Sequence, residues 1–321
     1  MPNPVLFIDA LNIFTQQYCA NSALGSNSEP IGAIVGTLAH IKNLSSIIFP
    51  KKIFFVLEGE NGATKKKSIF KEYKNHRKPP KLNRFYDAED LPLDSEKNKN
   101  WQMLILLELL KLTPICPLCI NDSEADDVIG WACRSRFLNE EKIISSNDRD
   151  FYQLLDDKTK IYLPSKKILI RKDDVIKEFF VSVENFLVAK AICGDNSDNI
   201  NGIEGVGFKS LAKRIPILAE NKERTLSDVL DFCSEQIKNK KSQKIYSNII
   251  ENKSILFRNF KLMRLDVMNL SDAQIRKTNY VIDNFEFQRK KLEFHKILIK
   301  SGIYNFNTED FWISLNSISN Q

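Results

Sequence analysis

Short apolar runs alternate with longer amphipathic stretches along the first half of the chain. The runs predict buried strands at Val5–Ile8, Ile53–Leu57, Ile115–Ile120 and Lys142–Ser145. The stretches between them have apolar residues at helical spacing, most clearly over Ile31–Ile48, over Trp101–Leu112 and after Ser123. Strands without polar alternation are typical of parallel sheets that helices cover on both faces. The pattern therefore predicts an α/β fold with a mostly parallel central sheet.

The pattern changes after residue 160. Apolar residues on both sides of Pro164 predict a β-hairpin over Ile161–Ile170, and helices joined by polar segments follow it. We therefore expect an α/β domain over residues 1–180 and a smaller helical domain over residues 181–321. The aromatic residues after Asn279 are expected to pack within the helical domain.

Composition narrows the class of protein. A chain of 321 residues with 43% hydrophobic residues can bury one large core or two moderate ones. The net charge is only +6, so a nucleic-acid surface would have to come from how the charges are distributed. Six cysteines, no apolar leader and no apolar run of membrane length predict a cytoplasmic protein. We interpret Cys116 and Cys119 as strand thiols, because a zinc site needs further ligands.

Acidic residues follow one predicted strand after another. Asp9, Glu58 and Asp148 lie at or just past strand ends. Glu124, Asp126 and Asp127 follow the end of another predicted strand, and Asp150 lies two residues beyond Asp148. Because the carboxyl ends of parallel strands share one edge of a sheet, these carboxylates are expected to cluster there. Their mutual repulsion and their all-oxygen chemistry favour Mg²⁺ or Mn²⁺.

Each acid also has a simpler interpretation. Ser123 and Asp126 fit a helix-capping pattern, and Asp195 and Asp198 are ordinary turn residues. These readings do not explain why several strands in succession end in acid. The clustered metal site is therefore the better hypothesis.

A basic segment follows Glu58. It has nine lysines and arginines, opposed only by Glu72 and interleaved with Phe70, Tyr73 and Phe85. The basic residues are Lys65, Lys66, Lys67, Lys71, Lys74, Arg77, Lys78, Lys81 and Arg84. A solvated loop would explain the charges alone, but their position beside the acids favours guidance of a nucleic-acid substrate. Metals and a basic segment together indicate phosphodiester chemistry with two metal ions.

Five motifs in this order resemble the 5′-nuclease family. This family includes flap endonucleases, 5′-3′ exonucleases, the 5′-nuclease domains of bacterial DNA polymerase I, and bacteriophage RNase H, the branch that the chain resembles most. The motifs are Ile8-Asp9-Ala10, Glu72-Tyr73-Lys74-x-x-Arg77, Glu124-Ala-Asp126-Asp127, Ser146-Asn-Asp148-Arg-Asp150 and Gly194-Asp195-Asn-Ser-Asp198-Asn-Ile200. The resemblance covers residues 5–265. It implies a PIN-like nuclease core, a basic arch over about 61–100, and a helix-three-turn-helix over about 185–215.

The resemblance also implies residue roles. Asp9, Glu124, Asp126 and Asp148 would serve the first metal with Asp127 behind them, and Asp150, Asp195 and Asp198 would serve the second. Lys74 and Arg77 match the catalytic basic pair at the foot of the arch, where Tyr73 would stack on a base. Lys65, Lys66, Lys67 and Lys78 would contact DNA. Glu58 stands where the family has aspartate, which leaves its contact with a metal open.

The turn after Asp198 has its own implied chemistry. Gly202, Gly205, Gly207 and Lys209 would hold a duplex phosphate, because glycines let backbone amides approach an anion. The family binds K⁺ here through backbone carbonyls, which places it at Ile203 and Val206. A plain helix–helix connection is the simpler alternative.

The function implied is that of a monomeric, Mg²⁺-dependent structure-specific 5′-nuclease of replication and repair. It would cut 5′ flaps and nicked or gapped duplexes and remove RNA primers from RNA·DNA hybrids, in the cytoplasm of a bacterium or of a phage-infected host. A single-strand DNA-binding protein or a sliding clamp is a partner at the level of the family. The alternatives are a PIN-like ribonuclease and a non-catalytic scaffold that binds DNA junctions.

Overall fold

The computed structural model describes residues 3–80, 82, 92–239 and 244–318. Among these residues the strands are β1 (Val5–Asp9), β2 (Lys52–Glu58), β3 (Ile115–Ile120), β4 (Lys142–Ser145), β5 (Thr159–Leu163), β6 (Ile168–Ile170), β7 (Gly194–Asp195) and β8 (Ile200–Asn201). The helices of the first part are α1 (Ala10–Ala20), α2 (Gly32–Ile48), α3 (Thr64–Ile69), α4 (Pro92–Leu110), α5 (Ala125–Trp131), α6 (Lys172–Phe179) and α7 (Val183–Cys193). Those that follow are α8 (Phe208–Arg214), α9 (Leu226–Lys238), α10 (Lys244–Glu251), α11 (Lys253–Met263), α12 (Asp272–Asp283), α13 (Lys291–Lys300) and α14 (Thr308–Ser314).

Six strands form one sheet in the order β3-β2-β1-β4-β5-β6. The pairs β1–β2, β2–β3, β1–β4 and β4–β5 are parallel, and only β5–β6 is antiparallel. The predicted mostly parallel sheet and the predicted hairpin are confirmed. With β1 at the centre, the carboxyl ends of β1 to β4 lie along one edge.

Helices cover both faces of the sheet, as predicted. Alternate residues of a strand point to opposite faces, and in β1 Val5 and Phe7 enter one apolar core while Leu6 and Ile8 enter the other. The first core continues into α5, α7 and α8 to α12. The second continues into α1, α2 and α4.

The last two helices depart from the expectation. Phe294, Phe311 and Trp312 are buried in the second core, where α14 packs on α2 and α13 packs on α4. The expectation that these aromatics pack within the helical region is therefore wrong, because their apolar surface completes the cover of the α/β sheet. Both cores contain residues from each side of residue 180, and the two-domain division stays a prediction.

A short antiparallel pair separates α7 from α8. β7 and β8 are two residues each, with Asp195 paired to Ile200, and a turn over Asn196–Asp198 joins them. This segment falls where the helix-three-turn-helix was expected. In the part of the chain that the structure describes, no helix has the length and apolar character needed to span a bilayer.

Candidate metal centre

The acidic residues gather at the carboxyl edge of the sheet. Asp9 is the last residue of β1 and also caps α1, accepting a hydrogen bond from the Asn12 amide at 3.2 Å. Glu58 ends β2, and Asp148 follows β4 and caps a short 3₁₀ turn. Asp9 and Asp148 therefore cap a helix or turn and also lie at the acid edge, so the two interpretations of the sequence are compatible.

Three carboxylates at the start of α5 form the tightest cluster. Glu124, Asp126 and Asp127 each offer an oxygen within 4.8 Å of the other two. The buried ammonium of Lys66 lies among them, 2.5 Å from Glu124, 3.3 Å from Asp126 and 3.7 Å from Asp127. Asn269 donates from Nδ2 to Asp127 Oδ1 at 2.6 Å and so fixes that side chain.

The first acid group is this cluster together with Asp9 and Glu58, and burial shifts the pKa of several of its members. It raises the pKa of Asp9 to about 6, although Ser146 Oγ donates to Asp9 at 2.8 Å and lowers it in part. Burial likewise raises the pKa of Asp127 to about 6, against the opposing charge of Lys66. The pKa of Asp126 is lowered instead, because the charges of Lys66 and Lys74 outweigh burial. Burial also raises the pKa of Glu58, and the nearby charges of Glu124 and Asp126 raise it further.

Asp150, Asp195 and Asp198 form a second group beside the first, and Asp148 lies between the two groups, where it accepts from the Asp150 amide at 2.8 Å and feels the charges of Asp126 and Asp9. Asp150 and Asp195 both pair with the buried ammonium of Lys190 on α7, the latter at 2.7 Å. Burial raises the pKa of Asp150 to about 7 even with this lysine beside it. For Asp195, Lys190 and Ser197 outweigh burial and lower the pKa. Asp195 is therefore the ionised partner of Lys190 near neutral pH.

The foot of the predicted arch ties the two groups together. Lys74 donates to Glu124 of the first group, and Arg77 forms an ion pair with Asp198 of the second. The Lys74 amide donates to the Asp198 carbonyl at 3.0 Å, and Asn199 donates to the Glu72 carbonyl at 3.0 Å. The β7–β8 hairpin is thus bonded directly to the segment that carries the basic pair.

The donor set fits divalent metal ions. Six of the nine carboxyls form ion pairs with four basic side chains, which are Lys66, Lys74, Arg77 and Lys190. The acids therefore carry an excess of negative charge when ionised, and burial raises the pKa of several of them. Hard cations with oxygen ligands relieve this kind of repulsion.

Comparison with known proteins assigns this chain to a family. The family described as 5′-3′ exonuclease, N-terminal resolvase-like domain, matches residues 4–180, more than half of the chain. The chain belongs to the 5′-3′ exonuclease family. It is a nuclease, as the resemblance predicted; the finer placement near phage RNase H stays a prediction.

Individual relatives agree with the family. The chain is 26% identical over 316 residues to a 5′-3′ exonuclease of Buchnera aphidicola subsp. Schizaphis graminum, covering 95% of this chain and 97% of that one. It is 31% identical over 219 residues to a 5′-3′ exonuclease of Halalkalibacterium halodurans, covering 65% and 69%. Among solved structures, the bacteriophage T5 5′-exonuclease with bound zinc has a TM-score of 0.67 at 20% identity, covering 93% and 99%. That enzyme has also been solved as a flap endonuclease pseudo-enzyme–product complex with DNA and metal ions, with a TM-score of 0.61 at 20% identity, covering 97% and 98%.

Two predicted DNA contacts of this 5′-3′ exonuclease do not fit the structure. Tyr73 is 1% exposed and its hydroxyl donates to Glu124 at 3.2 Å, so no face of its ring is open to a base. Lys66 is 7% exposed, because its ammonium neutralises the first acid group. Both side chains organise the site from inside.

The other predicted contacts in the basic segment remain candidates. Lys65, Lys67 and Lys78 are exposed, and Lys65 donates to the Asn269 carbonyl at 2.7 Å. Lys81, Arg84 and Phe85 lie outside the described residues, so the predicted arch is described only through its flanks.

The glycine turn forms a shallow depression of about 480 Å³. Gly202 has a packing role, because a Cβ there would lie 2.2 Å from the Cys193 carbonyl carbon. Gly205 has a φ of 73°, and a Cβ on Gly207 would meet nothing within 4 Å, so the turn is open on that side. Lys209 is exposed at the start of α8. The Ile203 carbonyl accepts from the Val206 amide at 3.1 Å.

Sequence reasoning missed several residues that hold the acids in place. Lys190 is the clearest, and its only signal is a lone lysine in the apolar helix that leads to Asp195. Ser146 and Asn269, which donate to site acids, resemble ordinary loop residues in the sequence.

Proposed function

We propose that this 5′-3′ exonuclease is a structure-specific 5′-nuclease that uses two divalent cations, Mg²⁺ or Mn²⁺. Its substrates would be 5′ flaps, nicked or gapped DNA duplexes and RNA primers on DNA. The observation that carries the proposal is the gathering of seven carboxyls at one sheet edge and two more on the β7–β8 hairpin, with Glu124 and Asp198 bonded to the foot of a basic segment.

The two acid groups would each hold one ion. Asp9, Glu124, Asp126 and Asp148 would hold the first, with Asp127 behind them and Glu58 at the edge; Asp150, Asp195 and Asp198 would hold the second. Bound ions would polarise the scissile phosphodiester and acidify the attacking water. Lys74 at the first group and Arg77 at the second would orient the phosphate between the two ions.

Duplex DNA would be held away from the cut by the glycine turn. The open backbone at Gly205 and Gly207 and the exposed Lys209 support a phosphate contact there, with K⁺ held by the carbonyls of Ile203 and Val206. Such contacts read no bases, so binding would depend on DNA structure and on salt. Lys65, Lys67 and Lys78 would guide the strand. We also propose a cytoplasmic monomer, for which a single-strand DNA-binding protein or a sliding clamp is a candidate partner.

Digestion of matched 5′-flap, nicked and RNA-primer substrates, with product lengths measured, tests the proposal. Wild-type protein should cleave with Mg²⁺ and stop with EDTA. Asp148→Ala and Asp195→Ala should each lose cleavage while still binding DNA, and Glu309→Ala, an exposed acid on α14, should match wild type. Full turnover by either site variant would refute its assignment.

The role of the arch foot is tested separately. Lys74→Ala should slow single-turnover cleavage much more than it weakens duplex binding, because Lys74 lies at the acids rather than on the open surface. Equal losses of rate and affinity would make Lys74 an ordinary phosphate contact.

A further inference from the structure

Helix α11 contacts the backbone segments that carry the second acid group. It packs against α7, and its Leu262 and Met263 share a small apolar cluster with Tyr73 and Ile200. The Arg258 guanidinium lies 4.2 Å from the centre of the Phe70 ring at the end of α3. One helix therefore touches the acid-bearing hairpin and the foot of the basic segment.

Asn259 on α11 fastens the hairpin. Its side chain is fully buried, and Nδ2 donates to the Ala191 carbonyl at 3.0 Å and to the Asn201 carbonyl at 2.8 Å. Ala191 lies in the last turn of α7 just before β7, and Asn201 ends β8. One amide thus binds both ends of the segment that contains Asp195 and Asp198. Its Oδ1 accepts from Arg258 at 3.0 Å, which sets the orientation of the amide.

Gln153 fastens the other half of the group. It is 8% exposed, and Nε2 donates to the Asp150 carbonyl at 2.8 Å and to the Met263 carbonyl at 2.9 Å. Its Oε1 accepts from the Leu265 amide at 2.9 Å. The Asp150 segment is thereby joined to the carboxyl end of the helix whose Asn259 holds the hairpin.

We propose that Asn259 and Gln153 are positioning residues that set, through α11, the spacing between the Asp150 segment and the Asp195–Asp198 hairpin. Side chains that share a ligand must be held to within about 0.5 Å by their supporting residues. The buried amide of Asn259 on α11 and the buried amide of Gln153, which donates to the carboxyl end of α11, give that constraint to segments distant in sequence. The inference rests on the proposed function, because it concerns the acids assigned to the second ion.

Mn²⁺ binding measured by electron paramagnetic resonance, in the folded full chain without DNA, tests the inference. Asn259→Leu and Gln153→Met should each weaken one of two Mn²⁺ sites by about tenfold or more and leave the other unchanged. Single-turnover cleavage at saturating Mn²⁺ and DNA should fall about 10–100-fold, with unchanged duplex affinity in EDTA. Asn252→Leu is the matched control, because Asn252 donates to the Asn248 carbonyl at the amino end of α11; it should keep both Mn²⁺ affinities.

The outcomes separate this inference from the proposed function. Wild-type Mn²⁺ affinities in both variants, with two sites and cleavage in the wild-type protein, would overturn the positioning role alone. If Asn259→Leu does not fold, Gln153→Met decides. A wild-type protein that binds no Mn²⁺ would reject the proposed function, and the inference with it.

Discussion

Lys190 should control the stability of the metal-free protein through its charge. Its ammonium is 7% exposed and pairs with Asp150 and with Asp195. Burial alone would lower the pKa of Lys190, but these carboxylates and Asp148 raise it well above its usual value. The lysine is therefore charged at every pH at which the protein would be studied. Lys190→Met keeps most of the apolar stem and removes only the charge.

The expected loss in the free energy of unfolding of Lys190→Met follows from the energetics of a buried ion pair. Removing one partner of a buried ion pair costs about 3–5 kcal/mol when the other stays charged. A loss of 3 kcal/mol corresponds to a pKa raised by about two units in the folded variant, at 1.36 kcal/mol per unit. A carboxyl with a raised folded pKa binds more protons folded than unfolded, so the loss appears as pH rises from about 4 and is complete above the folded pKa. The variant should therefore be weakened most at pH 8 and little at pH 4.

Urea unfolding in EDTA at pH 8 and at pH 4 measures this effect. The control is Lys177→Met, because Lys177 is 73% exposed in a pair with Asp174, and such pairs contribute below about 1 kcal/mol. An equal loss at both pH values would show that Lys190 acts by packing rather than by charge, and no loss at pH 8 would refute the reasoning.

Two further predictions concern buried basic groups outside the acid groups. Burial lowers the pKa of His40 to about 4 from 6.5. Because the imidazole stays neutral in the folded protein and is protonated in the unfolded chain, the free energy of unfolding should be about 2 kcal/mol lower at pH 5 than at pH 8. Urea unfolding of His40→Gln should lack this part of the pH dependence, and an identical pH profile in the two proteins would contradict it. Lys142 is fully buried and donates to the carbonyls of Phe137, Leu138 and Glu140 at 2.8–3.2 Å. Lys142→Met should therefore lower the free energy of unfolding by about 1–3 kcal/mol with unchanged cleavage, and wild-type stability would show that the carbonyls do not need the lysine.

The sheet and its acid edge were predictable from sequence because their signals are local. A buried parallel strand has to be a short apolar run, and the predicted bounds of Ile115–Ile120 and Lys142–Ser145 match β3 and β4. The positions of the acids were predictable because each comes at the end of a predicted strand or the start of a helix. Asp9 and Asp148 could therefore be placed at one edge of the sheet without knowledge of any contact.

What the sequence could not show depends on contacts between distant segments. Lys65, Lys66 and Lys67 look equivalent in sequence, yet only Lys66 turns inward on α3 to meet Glu124. The β7–β8 pair has no strand signal, because its four residues pair only where the backbones of Gly194 and Gly202 approach closely. Nothing in the sequence around Phe294, Phe311 and Trp312 indicates which face of the sheet these aromatics cover.

Under the proposed function, the basic residues at the foot of the predicted arch would link metal binding to substrate binding. Lys74 holds Glu124 and Arg77 holds Asp198, so each neutralises an acid that the proposed function assigns to a cation. A cation at either acid group would take over that neutralising role, and the ammonium of Lys74 or the guanidinium of Arg77 would then be available to a phosphate. Arg77 is 49% exposed and Lys74 only 18%, so Arg77 is the more accessible to a phosphate and Lys74 the more dependent on the cation. The same charges would therefore stabilise the acids before substrate arrives and the scissile phosphate after it.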